Sequence, residues 1–573
     1  MLTRLSARNF KVFGDVEIEL GERVLFVGPN NSGKTSALQA LALWSIGVRR
    51  WLEKRGDGNV PKERAGVTIN RRDLIAVPIP SANLLWRDLH VREGYREENK
   101  TKTRNLLIEI EVEGIDLGKQ WTAALEFDYA NEESFYCRSR LGDGGVRRVV
   151  PAAAGEVKLA YLPPMSGLAA NETRLDAGAL DVRIGEGRTA EVLRNLCWRA
   201  SEGSPEAWKK IVQRMTSLFG VTLDDPSYVK ERGEITMSFR TWGGAQLDLS
   251  ASGRGQQQTL LLLAHMAANP GAVLLLDEPD AHLEVLRQRQ IYQVLTETAR
   301  ETGSQIIAAS HSEVILNEAA DRDTVIAFVG RPHRIDDRGS QLLKALKEIG
   351  FEHYLQAEQT GWVLYLEGST DLAILRAFAN AHQHQALAAL ERPFVHYVGN
   401  QPKKAQDHFY GLREAKRDLW GVALYDRRDV ELPPDPHLTQ VMWRRFEIES
   451  YLCQRETLRA FAQAQGRAQA GALYVPDWLK TMEQAIEEIL KALADLGRPD
   501  PWGPDLKVST EFLGPVFKKF YEKLGLPDLM TKTDYHTLAP FVPAGNLDPE
   551  VIEKLDRIAA VASKAKAADA DAK

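Results

Sequence analysis

The sequence predicts an α/β fold with two separate sheets, one in each half of the chain. Near the amino terminus a short apolar strand runs into a glycine-containing loop and then a helix, within residues 23–46. Two further apolar segments, 273–278 and 306–311, end in charged or polar side chains, as buried parallel strands do. After about residue 360 short apolar strands again alternate with helical segments. Such alternation is typical of α/β sheets.

The composition is typical of a soluble protein with more than one domain. The chain has 573 residues, 44% of them hydrophobic and 27% charged, and this length predicts two or more hydrophobic cores. Lys and Arg number 73 against 79 Asp and Glu, so the net charge is −6. Any nucleic acid must therefore be bound by local basic patches.

Neither the cysteines nor the apolar segments point to secretion or to a membrane. The three cysteines, Cys137, Cys197 and Cys453, have no zinc or disulfide spacing. The amino-terminal segment lacks an apolar signal core, and the apolar run after Gln258 is interrupted too soon to cross a bilayer. We therefore expect a cytoplasmic protein with no membrane partner.

The segment Phe26–Thr35, Phe-Val-Gly-Pro-Asn-Asn-Ser-Gly-Lys-Thr, has the pattern of a complete phosphate loop. It follows a strand and opens a helix, which is the context that this motif requires. Its backbone N–H groups and the helix amino terminus favour phosphate oxygens, its lysine can pair with the β and γ phosphates, and its threonine can bind Mg²⁺. The predicted ATP-binding residues are Asn30, Asn31, Ser32, Gly33, Lys34 and Thr35.

A second glycine-containing segment, Leu249–Gln258, also precedes an apolar helix. Ser252, Gly253 and Gly255 at its start predict another anion-binding helix end. Taken alone, the segment could be an ordinary glycine-rich helix start. Because the chain already has a phosphate loop, we expect this helix end to meet the γ-phosphate held by a second copy, which predicts a homodimer.

Two adjacent strand ends are predicted to carry the groups for ATP hydrolysis. Asp277 is placed to hold the Mg²⁺ shell, and Glu278 to polarise the attacking water. His311 ends the next apolar strand and can hydrogen-bond the γ-phosphate. A lone histidine is more often structural, but strand carboxyl ends are where α/β sheets bind ligands.

These four segments resemble the Walker A, signature, Walker B and switch-histidine motifs of ABC-type ATPases, in the soluble branch that includes SMC and RecF proteins. The resemblance implies an ABC-type P-loop ATPase domain over residues 1–335, with a helical subdomain at about 185–230. It also implies two ATP molecules at a head-to-tail dimer interface. Arg254 interrupts the usual glycine pair, so either Ser250 or Ser252 could be the phosphate-facing hydroxyl of the signature.

The second half predicts a site for hard divalent cations. After a connector at 336–355, the strand Trp362–Leu366 ends at Glu367, and the strand Leu419–Tyr425 ends at Asp426 with Asp429 close behind. Carboxylates at neighbouring strand ends suit one or two Mg²⁺ ions, with Mn²⁺ as an alternative. Two such ions support in-line attack on a phosphodiester. Each acid alone could be a helix cap or a solvated charge.

The pattern Glu-Gly-x-x-Asp followed by a second acidic strand end resembles the Toprim fold of topoisomerases, primases and OLD-family nucleases. The resemblance implies an α/β Toprim domain with helical insertions over residues 356–573. One insertion lies at about 455–525, and a low-complexity tail lies at 559–573. Glu447 or Glu449 supplies an extra acid, and Lys532 matches a lysine that neutralises transition-state charge. Because two arginines separate Asp426 from Asp429, either of them could be the metal ligand.

The order of an ABC-type ATPase and a Toprim domain resembles OLD-family proteins and bacterial anti-phage systems. It implies an ATP-controlled, Mg²⁺-dependent nuclease that is dimeric or larger, acts on DNA in preference to RNA, and responds to a defence-system or phage trigger protein. Two alternatives stay open: cleavage of RNA such as transfer RNA during abortive infection, and a non-cleaving SMC/RecF-like sensor of DNA damage. A metal-dependent cleavage assay separates these classes.

Overall fold

The computed structural model describes residues 1–57, 66–74, 76–77, 79–97, 100–142, 146–166, 168–169, 171–320, 322–335, 349–429 and 431–566. Most of the predicted connector (336–348), the end of the predicted tail (567–573) and part of a charged segment (58–65) lie outside these residues. The chain divides into two compact units, Met1–Leu343 and Lys344–Lys573.

The strands of the first unit follow in chain order. They are β1 (Leu2–Phe10), β2 (Phe13–Glu19), β3 (Arg23–Val27), β4 (Val67–Asn70), β5 (Arg92–Glu97), β6 (Lys100–Asn105), β7 (Ile108–Asp116), β8 (Lys119–Asn131), β9 (Ser134–Ser139), β10 (Leu159–Leu162), β11 (Thr222–Leu223), β12 (Ser227–Val229), β13 (Glu234–Thr236), β14 (Ser238–Arg240), β15 (Gln246–Asp248), β16 (Val273–Asp277), β17 (Gln305–Ser310), β18 (Thr324–Ala327) and β19 (His333–Arg334).

The helices of the first unit include three in succession between residues 177 and 219, which overlap the region of about 185–230 predicted to be a helical subdomain. They are α1 (Lys34–Arg55), α2 (Ala152–Gly155), α3 (Ala177–Gly185), α4 (Leu193–Gly203), α5 (Pro205–Phe219), α6 (Arg254–Ala268), α7 (Val285–Thr302) and α8 (Glu313–Ala319).

Two six-stranded sheets enclose the core of the first unit. One is antiparallel, in the order β2-β1-β7-β8-β9-β4, and the other has the order β10-β16-β17-β3-β18-β19, parallel except for β19. Helix α1 is buried on nearly every side, and its hydrophobic side chains join residues of both sheets in one cluster. At Gly47 of this helix a Cβ atom would lie 2.7 Å from Leu125 Cδ1, so a larger residue there would require the side chains of the antiparallel sheet to move. The helix that begins at the phosphate loop is therefore held between the sheets.

The described residues of the second unit form one parallel sheet and a set of helices. The strands are β20 (Trp362–Leu366), β21 (Val395–Tyr397), β22 (Trp420–Tyr425) and β23 (Leu438–Met442). The α-helices are α9 (Phe351–Thr360), α10 (Ser369–Ala381), α11 (Ala386–Glu391), α12 (Pro402–Ala415), α13 (Arg455–Gln469), α14 (Val475–Asp495), α15 (Gly514–Lys523) and α16 (Pro549–Lys564), and a 3-10 helix spans Lys532–Phe541.

The order of this sheet is β21-β20-β22-β23, and every neighbouring pair is parallel. Side chains on its two faces alternate along each strand. Leu364 and Leu366 of β20, with Val422 and Leu424 of β22, pack into the large core that the carboxyl-terminal helices complete. The intervening side chains, such as Tyr365, point to the opposite face. Parallel strands put their carboxyl ends at one edge, so residues that follow β20 and β22 become neighbours.

All three cysteines are buried free thiols. Within the described part of the chain, no helix combines the length and the apolarity that a bilayer crossing needs.

Candidate functional site

The phosphate loop connects β3 to α1 through two glycines that no other residue could replace without movement. Gly28 has φ 152°, and a Cβ atom there would lie 2.7 Å from the carbonyl oxygen of Phe328. Gly33, which caps α1, has φ 105°, and a Cβ atom would lie 2.9 Å from the ring of Phe13. Both positions combine a left-handed backbone with close packing, which only glycine tolerates. The exposed Asn30 and Asn31 form the outer part of the loop.

Lys34 is the first residue of α1, and its side chain turns back into the loop. Its Nζ donates hydrogen bonds to the carbonyl oxygens of Gly28, at 2.6 Å, and Pro29, at 2.8 Å. Burial lowers the pKa of Lys34, while the carboxylates of Asp277 and Glu278 act in the opposite sense. The ammonium group therefore lies inside the loop and within the field of the acids on β16.

Asp277 is buried at the end of β16, one strand removed from β3. The hydroxyl of Tyr161 on β10 donates to its Oδ2 at 3.3 Å, and the hydroxyl of Thr35 is hydrogen-bonded to the same carboxyl group. Burial raises the pKa of Asp277 to about 6, and the neighbouring Glu278 adds to that effect. A hydroxyl beside a carboxylate is an oxygen pair that suits Mg²⁺. Thr35 and Asp277 therefore fit the predicted role of holding this ion, and Tyr161 is a partner that sequence reasoning missed.

Glu278 and His311 follow the adjacent strands β16 and β17. Nδ1 of His311 lies 3.9 Å from Oε1 of Glu278, and both side chains are partly exposed. Glu278 has φ 49°, a left-handed conformation that costs energy for a residue with a side chain and is common at functional sites. The pair is placed where water and a terminal phosphate could reach both groups.

The predicted signature segment caps α6. Gly253 is the residue before the helix, and Ser252 donates its hydroxyl hydrogen to the carbonyl oxygen of Leu249 at 2.6 Å. The N–H and the hydroxyl of Ser250 both donate to Oδ1 of Asp248. The hydroxyls of both serines are therefore engaged by nearby residues, and Ser252 is the nearer of the two to the exposed Gly253.

Gly255 lies in the first turn of the same helix. A Cβ atom there would be 3.3 Å from the carbonyl oxygen of His282, which follows the β16 acids. The close approach lets the start of α6 pack on the segment after β16. Gln258, a turn later, is buried and donates to the carbonyl oxygen of Pro279 at 3.4 Å.

In the second unit, Glu367 and Asp426 meet at one edge of the sheet. They follow β20 and β22, which pair in parallel with Tyr365 opposite Ala423. Their carboxyl groups are hydrogen-bonded to each other, and burial together with this contact raises the pKa of Asp426 well above its ordinary value. Two carboxyl groups in contact repel each other when both are ionised, so a cation between them relieves that repulsion.

Asp371 joins this pair, although sequence reasoning did not include it among the site residues. Its Oδ2 accepts a hydrogen bond from the backbone N–H of Glu367 at 3.0 Å. Burial, and then the charges of Glu449 and Glu367, raise its pKa to about 6. The sequence could have indicated Asp371, because it lies four residues after Glu367 in the first turn of a predicted helix. In that position its side chain can point back to the end of the strand.

Glu449 and Lys532 complete the cluster. Glu449 is buried in a 3-10 turn, Ile448–Tyr451, and Nζ of Lys532 lies 3.5 Å from its Oε1. Burial lowers the pKa of Lys532, but Glu449, Glu447 and Glu367 outweigh that effect and raise it. Glu447 has a different partner, because it accepts hydrogen bonds from the N–H and hydroxyl of Ser509 at 2.6 and 2.9 Å. Of the two glutamates, Glu449 is the one paired with the lysine.

Asp429 stands apart from this group. It is exposed, and the residues that act on the pKa of Asp426 are Glu367, Asp371 and Glu449. The term carboxylate cluster is used below for Glu367, Asp371, Asp426 and Glu449. Its donor set consists of carboxylate oxygens, which Mg²⁺ and Mn²⁺ prefer.

Two segments of the first unit match family models of ATPases. Residues 1–46, which include the phosphate loop, match a model described as "AAA ATPase domain". Residues 173–317 match a model described as "AAA domain, putative AbiEii toxin, Type IV TA system". Together these segments contain every residue predicted to bind or hydrolyse ATP. The first unit is therefore an ATPase domain of the AAA class, and proteins of this class use ATP with Mg²⁺.

Part of the chain is similar to solved SMC head domains. The SMC head domain from Thermotoga maritima is 18% identical with a TM-score of 0.31, over 58% of this chain and 98% of that chain. A Smc head bound to the C-winged helix domain of ScpA is 15% identical with a TM-score of 0.36, over 60% and 99%. A Pyrococcus furiosus Smc head complex is 13% identical with a TM-score of 0.35, over 61% and 99%. At these low TM-scores the ATPase assignment rests on the family models and the site geometry.

A comparison with curated proteins found no match.

Proposed function

We propose that this protein is an ATP-controlled, metal-dependent nuclease that acts in anti-phage defence, with an ABC-type ATPase domain followed by a Toprim domain as in the OLD family. The observation that carries the proposal is the hydrogen-bonded pair of Glu367 and Asp426 at adjacent parallel strand ends. The charged pair of Glu449 and Lys532 beside it gives the cluster both an extra acid and a cation.

The ATPase unit supplies the control. Lys34 and the loop amides hold the phosphates, Thr35 and Asp277 hold Mg²⁺, and Glu278 orients the attacking water. The helix start at Ser252 and Gly253 is exposed and carries the positive end of the α6 dipole. In the proposed homodimer this helix start in one copy binds the γ-phosphate held by the other, with His311 beside it. ATP binding then pairs the heads, and hydrolysis releases them.

The carboxylate cluster performs the cutting. Glu367, Asp426 and Glu449 are the residues that would hold Mg²⁺ or Mn²⁺, and the bound ion supplies an activated water and a counter-charge for the phosphodiester. Lys532 stays protonated beside Glu449, so its ammonium group can neutralise the charge that develops on the phosphate. Asp371 fixes the turn after β20 through its bond to the backbone N–H of Glu367.

DNA is the proposed substrate, in preference to RNA. One matched family description names a toxin of a type IV toxin–antitoxin system, which supports a role in limiting growth of the infected cell. RNA cleavage, including that of transfer RNA, is the second substrate class to test. A phage or host trigger protein and assemblies larger than a dimer belong to the same proposal.

The test is cleavage of plasmid DNA, linear DNA and transfer RNA with Mg²⁺ or Mn²⁺, in the presence and absence of ATP. The wild type is compared with Glu367→Ala and with Glu414→Gln, which replaces an exposed acid on α12 outside the cluster. We expect cleavage by the wild type and the control, and loss of cleavage in Glu367→Ala. Equal products from wild type and Glu367→Ala would remove the nuclease proposal and favour a non-cleaving DNA-repair sensor.

A further inference from the structure

Three histidines from distant parts of the second unit meet on the sheet face opposite its large core. His353 lies on α9, His396 on β21 and His408 on α12. One ligand nitrogen from each ring lies within 4.8 Å of the other two. Among the residues that the structure describes, no other three histidine, cysteine or acidic side chains bring one ligand atom each within this distance of one another, so this group is tighter than the carboxylate cluster.

The contacts within this histidine cluster are close. Nε2 of His408 lies 2.9 Å from Nδ1 of His353. The rings of His396 and His408 stack with centroids 3.9 Å apart and planes 5° apart. Two nitrogen ligands of one tetrahedral zinc ion lie about 3.3 Å apart, given Zn–N distances of about 2.0–2.1 Å. The pair of His408 and His353 nitrogens is therefore already near this spacing, and the stacked rings of His396 and His408 would have to tilt for all three lone pairs to meet at one ion.

Tyr365 holds the buried member of the cluster in place. Its hydroxyl lies 2.8 Å from Nδ1 of His408, so the opposite nitrogen, Nε2, faces His353. Metal-binding histidines commonly hydrogen-bond through their other ring nitrogen, which fixes the orientation and tautomer of the ring. With Nε2 on a metal ion, Nδ1–H would donate to the tyrosine oxygen.

We propose that His353, His396 and His408 bind a divalent transition-metal ion, Zn²⁺, at a site separate from the carboxylate cluster. Three imidazole nitrogens suit zinc, whereas Mg²⁺ prefers oxygen ligands. Three protein ligands leave a fourth position for water. The ion would link α9 and α12 to the edge strand β21. This proposal is independent of whether the protein cleaves nucleic acid.

The test is a zinc titration of the full-length, chelator-stripped protein in excess Mg²⁺, which keeps the carboxylate cluster supplied with its own ion. We expect one high-affinity Zn²⁺ per chain in the wild type and in His90→Ala, which replaces an exposed histidine of the first unit. His353→Ala and His396→Asn should each lose that binding, and Tyr365→Phe should weaken it by about 10- to 100-fold. Circular dichroism checks that each variant is folded. Co²⁺ substitution should give ligand-field absorption bands in the wild type, and neither histidine variant should show them.

Two results would overturn the proposal. One is equal Zn²⁺ affinity in the wild type and in folded His396→Asn. The other is a zinc site that is lost in Glu367→Gln and kept in both histidine variants, since the ion would then lie at the carboxylates. Failure of the cleavage assay leaves the zinc result unaffected, so the two proposals fail separately.

Discussion

Lys532 places its ammonium nitrogen 3.5 Å from Oε1 of the buried Glu449, although the two residues belong to different helical elements far apart in the sequence. This ion pair joins the start of a 3-10 helix to the edge of the sheet where Glu367 and Asp426 meet. The ammonium group of Lys532 therefore lies among acids whose charges outweigh the effect of burial and raise its pKa.

The first prediction concerns this lysine. Lys532→Ala should reduce the single-turnover cleavage rate by about 10²–10³-fold, because one preorganised donor to the transition state is lost. Lys532→Arg should recover part of the rate. Lys480→Ala, on an exposed face of α14, is the matched control. An unchanged rate in Lys532→Ala at saturating Mg²⁺ would contradict the assigned role.

The second prediction distinguishes the two aspartates after β22. Asp426→Ala should abolish cleavage because it removes the carboxyl group that contacts Glu367. Asp429→Ala should cleave like the wild type, since Asp429 is exposed. The measurement is the initial rate of plasmid nicking in Mg²⁺ and in Mn²⁺. The reverse pattern would move the metal site to Asp429.

The third prediction concerns Glu278. Glu278→Gln should slow ATP hydrolysis by about 100-fold or more, the range for loss of a general base, and should keep ATP binding. An ATP-bound dimer should then accumulate and be visible by gel filtration with light scattering. A species that stays monomeric in saturating ATP would count against the composite nucleotide site.

The fourth prediction concerns Lys34. Lys34→Ala should weaken ATP binding by roughly ten- to a hundredfold, the range for a lost hydrogen bond to a charged group. Lys54→Ala, at the exposed far end of the same helix, controls for the loss of a positive charge on α1. Nucleotide affinity is measured by fluorescence titration, and equal affinity in Lys34→Ala and the wild type would refute the phosphate-loop assignment.

The fifth prediction is a pH dependence of stability. Burial lowers the pKa of His265 in α6 from 6.5 to about 4, so the folded state holds fewer protons than the unfolded state between these values. The resulting stability is present above pH 6.5 and is lost as the pH falls toward 4, by at most about 3 kcal/mol. His265→Leu should reduce the drop in unfolding free energy of the first unit between pH 7 and pH 5. The same drop in both proteins, measured by urea titration, would show that His265 is not its source.

Local sequence was sufficient for the nucleotide loop. Gly28, Lys34 and Thr35 lie within eight consecutive residues of one strand, loop and helix, so steric limits on the backbone fix their arrangement. The same holds for the general position of Glu367 and Asp426, because an apolar run that stops at an acid marks the end of a buried strand. For the first unit, the matches to family models also identify the class of protein, an ATPase.

Residues that act together across separate elements could not be chosen from the sequence. Ser250 and Ser252 both stay candidates for the signature hydroxyl, since each donates its hydroxyl hydrogen at 2.6 Å, to Asp248 and to Leu249. The choice of Glu449 over Glu447 followed from the hydrogen bonds of Glu447 to Ser509. The two glutamates are chemically alike and two positions apart, and only Ser509, 62 residues away, distinguishes them.

The sequence by itself determined the phosphate loop, the α/β class and the acids at the strand ends, because each depends on residues close together along the chain and on the periodicity of buried strands. Only the tertiary structure decided that β20 and β22 are neighbours, that Asp371 and Lys532 join their acids, and that three histidines meet behind the sheet. Strand order and helix packing set those distances, and they depend on how the whole core is filled.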